Sequence, residues 1–192
     1  MVDCEDAVWL AIGVGGRSES ISSDMVARLS SFGGAGSVSF SDNAVQGIRR
    51  PPPAMAVAGW LREQAGVARL TAEVVREDAT AVECRALGAK LRAAATHLLV
   101  LGSGTFTWEP TDTAPVADVH PIDDIVAKAL SAGDLSPVAA LDADVCRNLR
   151  VTGRAPWQVL AGATETAAIA VDSAVMEAPY GVTYHLASWR IG

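Results

Sequence analysis

Two uninterrupted apolar runs, each broken by glycines, constrain this chain more than any other feature. Ala7 to Val14 reads AVWLAIGV and meets Gly13, Gly15 and Gly16; Leu98 to Leu101 reads LLVL and breaks at Gly102-Ser103-Gly104. A strand with no polar alternation must be covered on both faces, as in the centre of a parallel sheet flanked by helices. The runs therefore predict an α/β chain with two buried strands ending in glycine turns.

The intervening segments supply the helices. Ser22-Ser23-Asp24 predicts a cap for a short helix with Met25, Leu29 and Phe32 on one face, ended by Gly33-Gly34. Ser37 to Phe40 predicts a short strand, Asp42 to Pro53 a loop held open by three prolines, Ala54 to Gln64 a helix and Leu70 to Val75 a strand. Cys84, Leu87, Leu91 and Ala94 form the apolar stripe of a helix from Ala79 to Ala95, which delivers the chain to the His97 to Leu101 strand. Ile122, Ile125, Val126, Ala129 and Leu130 predict a core-facing helix opened by Pro121 and stopped at Gly133. Ser136 and Pro137 predict the start of another, with Val138, Leu141, Val145 and Leu149 as its buried stripe. After a last helix from Trp157 to about Thr164, Ala167 to Val175 and Val182 to Ile191 read as a closing hairpin around Pro179-Tyr180-Gly181. The expected order is βαβαβαβ followed by helices. No repeat or charged linker divides it, so residues 1–192 read as one α/β domain: a mostly parallel or mixed sheet, helices on both faces and a C-terminal β-hairpin.

At 192 residues with 50% hydrophobic content, the core needs neither metal nor disulfide staples. The formal charge of −7 and the absence of a Lys/Arg cluster argue against a nucleic-acid or anionic-membrane partner. Cys4, Cys84 and Cys146 are scattered and odd in number, as expected of reduced, buried thiols in a cytoplasmic protein. No secretory leader is visible behind Met1, and no apolar run reaches the ~20 residues of a membrane span.

Chemical motifs are sparse. Gly13-Val14-Gly15-Gly16-Arg17-Ser18 has Ser18 where a dinucleotide fingerprint has its third glycine, so a tight turn accounts for it. Gly102-Ser103-Gly104 has neither the Lys of a P-loop nor the flanks of a nucleophile elbow. No two of His97, His120 and His185 lie closer than 23 residues, so any metal centre must be assembled by the fold. His97 and His185, on strands, read as satisfied structural histidines. His120, in a loop with Glu109 and Asp112, is the candidate for a two-histidine, one-carboxylate centre.

Three words in the second half stand out: Val100-Leu101-Gly102-Ser103-Gly104, Gly153-Arg154-Ala155-Pro156-Trp157-Gln158-Val159-Leu160-Ala161-Gly162, and Glu177-Ala178-Pro179-Tyr180-Gly181-Val182-Thr183-Tyr184. With the Ala7 to Gly15 strand they resemble an actinobacterial group of small proteins with the fold of class III extradiol ring-cleavage dioxygenases, the B-subunit-like family. The resemblance implies an α/β fold over nearly the whole chain. In active members it implies Fe(II) held by two histidines and a glutamate, with a further histidine as acid/base. Those positions do not carry over. Where the second ligand would follow Val14 stands Gly15-Gly16-Arg17, where the acid/base histidine would follow Leu101 stands Gly104-Thr105-Phe106, and near Trp157 there is no carboxylate before Glu165. The family's first strand, with its Pro-His-Pro ligand, is expected to be missing ahead of Met1.

The expected function is that of a degenerate member with no catalytic residues and no cofactor, binding a small molecule or a protein. Its cleft is expected at the glycine turns, with Gly15, Gly16, Gly104, Thr105 and Tyr180. The alternative is an iron(II) extradiol dioxygenase acting on a catechol-type ring, with His120, Glu109 and Asp112 as substitute ligands. Homodimerisation through the last hairpin, with Tyr180, Tyr184 and Trp189, is expected to cover the strand edge left open.

Overall fold

A computed structural model describes residues 7–45, 51–105, 120–177 and 183–192. Its centre is β1 (Trp9–Gly15), which pairs in parallel with β5 (Leu70–Arg76) on one side and β6 (His97–Val100) on the other. A short antiparallel strand, β2 (Glu19–Ile21), joins the far edge of β5 and makes the sheet mixed, in the order β2-β5-β1-β6. The remaining elements are β3 (Val26–Arg28), β4 (Ser37–Ser39), α1 (Pro53–Ala65), α2 (Ala81–Ala94), α3 (Pro121–Ala132), α4 (Ser136–Ala139), α5 (Ala143–Asn148), α6 (Arg154–Thr164), β7 (Ile169–Glu177) and β8 (Tyr184–Ile191). A C-terminal antiparallel hairpin of β7 and β8 completes a single α/β domain.

Alternate residues of the unbroken apolar strand serve opposite layers. Ala11 packs with Leu70, Ala72 and Val74 against Met55 and Ala58 of α1, over a base formed by Met25, Val38 and Phe40. Leu10 and Ile12 face the other way, onto Cys84 and Leu91 of α2 and Ala155 and Val159 of α6. A third apolar cluster, with Ile122, Val126, Val138, Cys146 and Trp157, binds α3 to α6 together beyond the sheet. The chain leaves β1 for β5 on one side, then returns across β1 to β6 on the other. The carboxyl ends of β1 and β6 thus flank a topological switch point, where open α/β sheets hold their ligands.

Three expectations are corrected. The segment after Ser22 is not a helix: Met25 and Ala27 are buried, Val26 is half-buried and Arg28 exposed, a period of two, and β3 pairs antiparallel with β4 before a 3-10 turn over Leu29–Phe32. Four strands therefore precede the first α-helix, and the expected βαβαβαβ order does not hold. The Ser136 helix is interrupted. Asp142 accepts hydrogen bonds from the amides of Asp144 and Val145, both at 2.9 Å, and starts a separate α5. Ser136 does not cap α4; its amide and hydroxyl both bond Asp134. The third correction concerns β6. All four of its residues are half-buried, because it is the edge of the sheet and not an interior strand.

The pair of helices behind the sheet meets backbone to backbone. A Cβ on Gly88 of α2 would stand 2.6 Å from the Ala163 amide nitrogen and closer still to the Val159 carbonyl; one on Gly162 of α6 would stand 2.6 Å from the Arg85 Cα. Neither neighbour can rotate away, so Gly162→Ala should separate α2 from α6 and cost about 3 kcal/mol, at the upper end for overpacking. Urea unfolding of the variant should show a lower midpoint; an unchanged midpoint would contradict this contact.

Candidate functional site

The loop that ends β6 is built around its glycines. A Cβ on Gly102 would lie 2.6 Å from Gly153 Cα, and one on Gly153 would enter the indole of Trp157. This close approach lets the Gly153 amide donate to the Ser103 carbonyl at 2.8 Å, which fixes the start of α6 to the end of β6. Two of the distinctive sequence words are therefore in contact. Gly104 plays the same part toward α3, since a Cβ there would stand 2.5 Å from Asp123 Oδ1.

Asp123, in the first turn of α3, is fully buried. The Thr105 amide donates to Oδ1 at 3.2 Å and the Thr105 hydroxyl donates to Oδ2. His185 Nε2, near the start of β8, stands 3.6 Å from Oδ1, at ion-pair distance but beyond a hydrogen bond. The His185 side chain is only 7% exposed, and neither ring nitrogen has a hydrogen-bond partner among the described residues. Buried polar atoms are normally paired, so an unpartnered imidazole beside a buried carboxylate marks a site.

That cluster borders a cleft of about 1130 Å³ between the outer edge of β6 and the inner face of β8. Thr105 and His185 line its polar end; Leu98, Leu99, Trp157, Leu160 and Trp189 form its apolar walls. Trp189 is itself oriented by donating its indole N–H to the Leu130 carbonyl at 3.0 Å. The third sequence word reaches the same cleft through Thr183 and Tyr184.

Of the residues expected at the cleft, Gly104 and Thr105 line it. Gly15 lies at the end of β1 against Val74 and Pro52, Gly16 faces open space, and neither lines the cleft. Tyr180 lies outside the described residues, as do Glu109, Asp112 and Cys4. His120 caps α3, its Nδ1 accepting from the Ile122 amide at 3.2 Å. His97 is held as expected, sharing a hydrogen bond with the Thr96 hydroxyl at 3.0 Å and stacking on Trp9. His185 is not: it lacks the partners expected of a structural histidine. Asp123 escaped the sequence reading because a carboxylate in the first turn of a helix, here two residues after Pro121, is ordinary. Cys84 and Cys146 are buried free thiols, and burial pushes both above the usual thiol range, which leaves them unreactive. Among the described residues no group of three or more His, Cys, Asp or Glu side chains stands where it could hold a metal ion, and no helix is long and apolar enough to cross a membrane.

No protein-family model and no curated protein matches this chain.

The Asp123 carboxyl is held below its ordinary value. Burial alone pushes it up, but the His185 ring and the Thr105 hydroxyl and amide outweigh burial. A carboxyl whose folded value is lowered contributes stability above its unfolded pKa, about 3.9, and loses it as pH falls through the folded value. Asp123→Asn should flatten the stability profile below about pH 4 and lower stability at pH 7 by roughly 1.5–3 kcal/mol, the loss of charge-assisted hydrogen bonds. Denaturant titrations from pH 2 to 7 read both; parallel profiles for variant and parent would refute the assignment.

Proposed function

We propose that this chain is a cytoplasmic small-molecule-binding module that keeps the scaffold of the extradiol dioxygenase B-subunit-like family without its iron chemistry. One observation carries the reading: three separate sequence words, from the end of β6, the start of α6 and the start of β8, converge on a single cleft of about 1130 Å³. Its size suits a drug-sized organic ligand, and apolar walls with a few convergent polar groups are the usual character of such sites. The cleft runs along the outer edge of β6 and takes in the loop that leaves its carboxyl end. Two buried free thiols fit a reducing compartment.

The anionic dye anilinonaphthalene sulfonate is a suitable first probe, because Trp157 and Trp189 line the cleft and can transfer excitation to it. The folded protein should bind it saturably at one site, and Ala187→Trp, which places a bulky ring in the cleft from an exposed position on the same face of β8 as His185 and Trp189, should abolish the signal while leaving near-ultraviolet dichroism native in form. Binding unaffected by the blocking residue would place the dye elsewhere and remove the support for this reading. Oxygen uptake on a catechol by iron-loaded protein would replace it with the dioxygenase alternative.

The same hairpin supports self-association. Val175, Tyr184 and Leu186 are exposed on one face of it, where cross-strand pairing sets Val175 opposite Leu186 and Glu177 opposite Tyr184. Burying that apolar face against a second copy is the expected route to a homodimer. Light scattering should give twice the chain mass at tens of micromolar, and Leu186→Asp should give monomer; a monomeric parent would refute it.

A further inference from the structure

The cleft has a charge opposite to that of the molecule around it. The chain carries a formal charge of −7, yet the residues lining the cleft include Arg92, Arg150 and Arg190 and, among the described residues, neither Asp nor Glu. Two of these arginines are engaged: Arg92 donates to the Gly192 carbonyl at 2.9 Å, and Arg190 pairs with Asp172 at 2.9 Å. Arg150 makes no ion pair or side-chain hydrogen bond among the described residues. It is exposed, and its positive φ of 57° is that of the left-handed residue ending α5, where the Val151 amide donates to the Cys146 carbonyl at 2.8 Å. This helix end thus presents at the cleft a cation with no ion-pair partner among the described residues.

The apolar lining includes Leu98, Leu99, Trp157 and Leu160. We infer that the cleft takes an organic anion with an apolar body, its charged head paired with Arg150 and its body against the apolar residues of β6 and α6. This inference rests on the binding-module reading and names its ligand class. Charge complementarity selects the occupant: a neutral molecule would leave Arg150 unused, and a cation would meet only like charge on the lining.

Two small probes test the charge: octanoate and 1-octanol, titrated into the full chain and followed by amide and indole chemical shifts. Octanoate should bind at least fivefold more tightly than 1-octanol and shift the Arg150 amide and Trp157 indole. Arg150→Gln should erase the preference for octanoate over 1-octanol. Arg150→Gly, which removes the charge and relieves the positive φ, should do the same with no fall in melting temperature, so that misfolding cannot explain the loss. If 1-octanol binds as well as octanoate, or if Arg150→Gln leaves the preference intact, the anion assignment is wrong while the binding module stands. If neither binds, both fall.

Discussion

A single buried guanidinium holds the layers behind the sheet in place. Arg154, at the start of α6, is 3% exposed and donates to the Gln158 side chain at 2.8 Å, the Glu77 carbonyl at 2.6 Å and the Ala79 carbonyl at 2.9 Å. Gln158 in turn donates its amide to the carbonyls of Ala139 and Leu141, at 3.1 and 3.0 Å. Those carbonyls lie where α4 stops and α5 has not begun. Removing a charge from water costs several kcal/mol, and only hydrogen bonds of the charge-assisted kind offset it. Arg154 meets that condition with neutral acceptors alone among the described residues, which ties the β5 to α2 turn, α6 and the α4 to α5 break into one unit.

The cleft inherits its shape from that unit. Because α6 is fixed at its first turn, Gly153 can press against Gly102 and Trp157 can stand in the wall. The β6 loop is thereby aimed at α3, where Gly104 leaves just enough room for Asp123 to receive both donors of Thr105. The glycines of this loop serve approach of backbone to backbone and of backbone to carboxylate. The same geometry leaves the outer edge of β6 without a strand beside it among the described residues, and the hairpin faces that edge across the cleft.

Much of the architecture was legible from periodicity and punctuation. The AVWLAIGV run could only be a central strand, Pro53 and Gly66 bracket α1, Pro121 and Gly133 bracket α3, and the C-terminal alternation became the hairpin. The failures share one cause, which is that local patterns were ambiguous until neighbours chose between them. Met25, Leu29 and Phe32 satisfy a helical spacing, but Met25 and Ala27 satisfy a strand spacing as well, and pairing with β4 decided it. Asp142 could have been an exposed helical residue; the Gln158 amide gives the carbonyls of a broken helix a partner, and the side chain of Asp142 caps the next one. At the site, Gly104 and Thr105 were legible because strand ends at a sheet's carboxyl edge are where loops gather. Asp123 and His185 were not, since they lie 62 residues apart and only the fold sets one 3.6 Å from the other.

What the sequence determined by itself is the class of fold, because an apolar run long enough to be buried on both faces has few alternatives once helices flank it. It also determined the overall acidity and the scarcity of metal-binding side chains. Only the tertiary structure decided that β6 is an edge, that the glycine turns pack against α6 and α3, and that an acidic chain lines its cleft with arginine. Each of these is a relation between segments distant in sequence, settled by close packing and by the requirement that buried polar groups find partners.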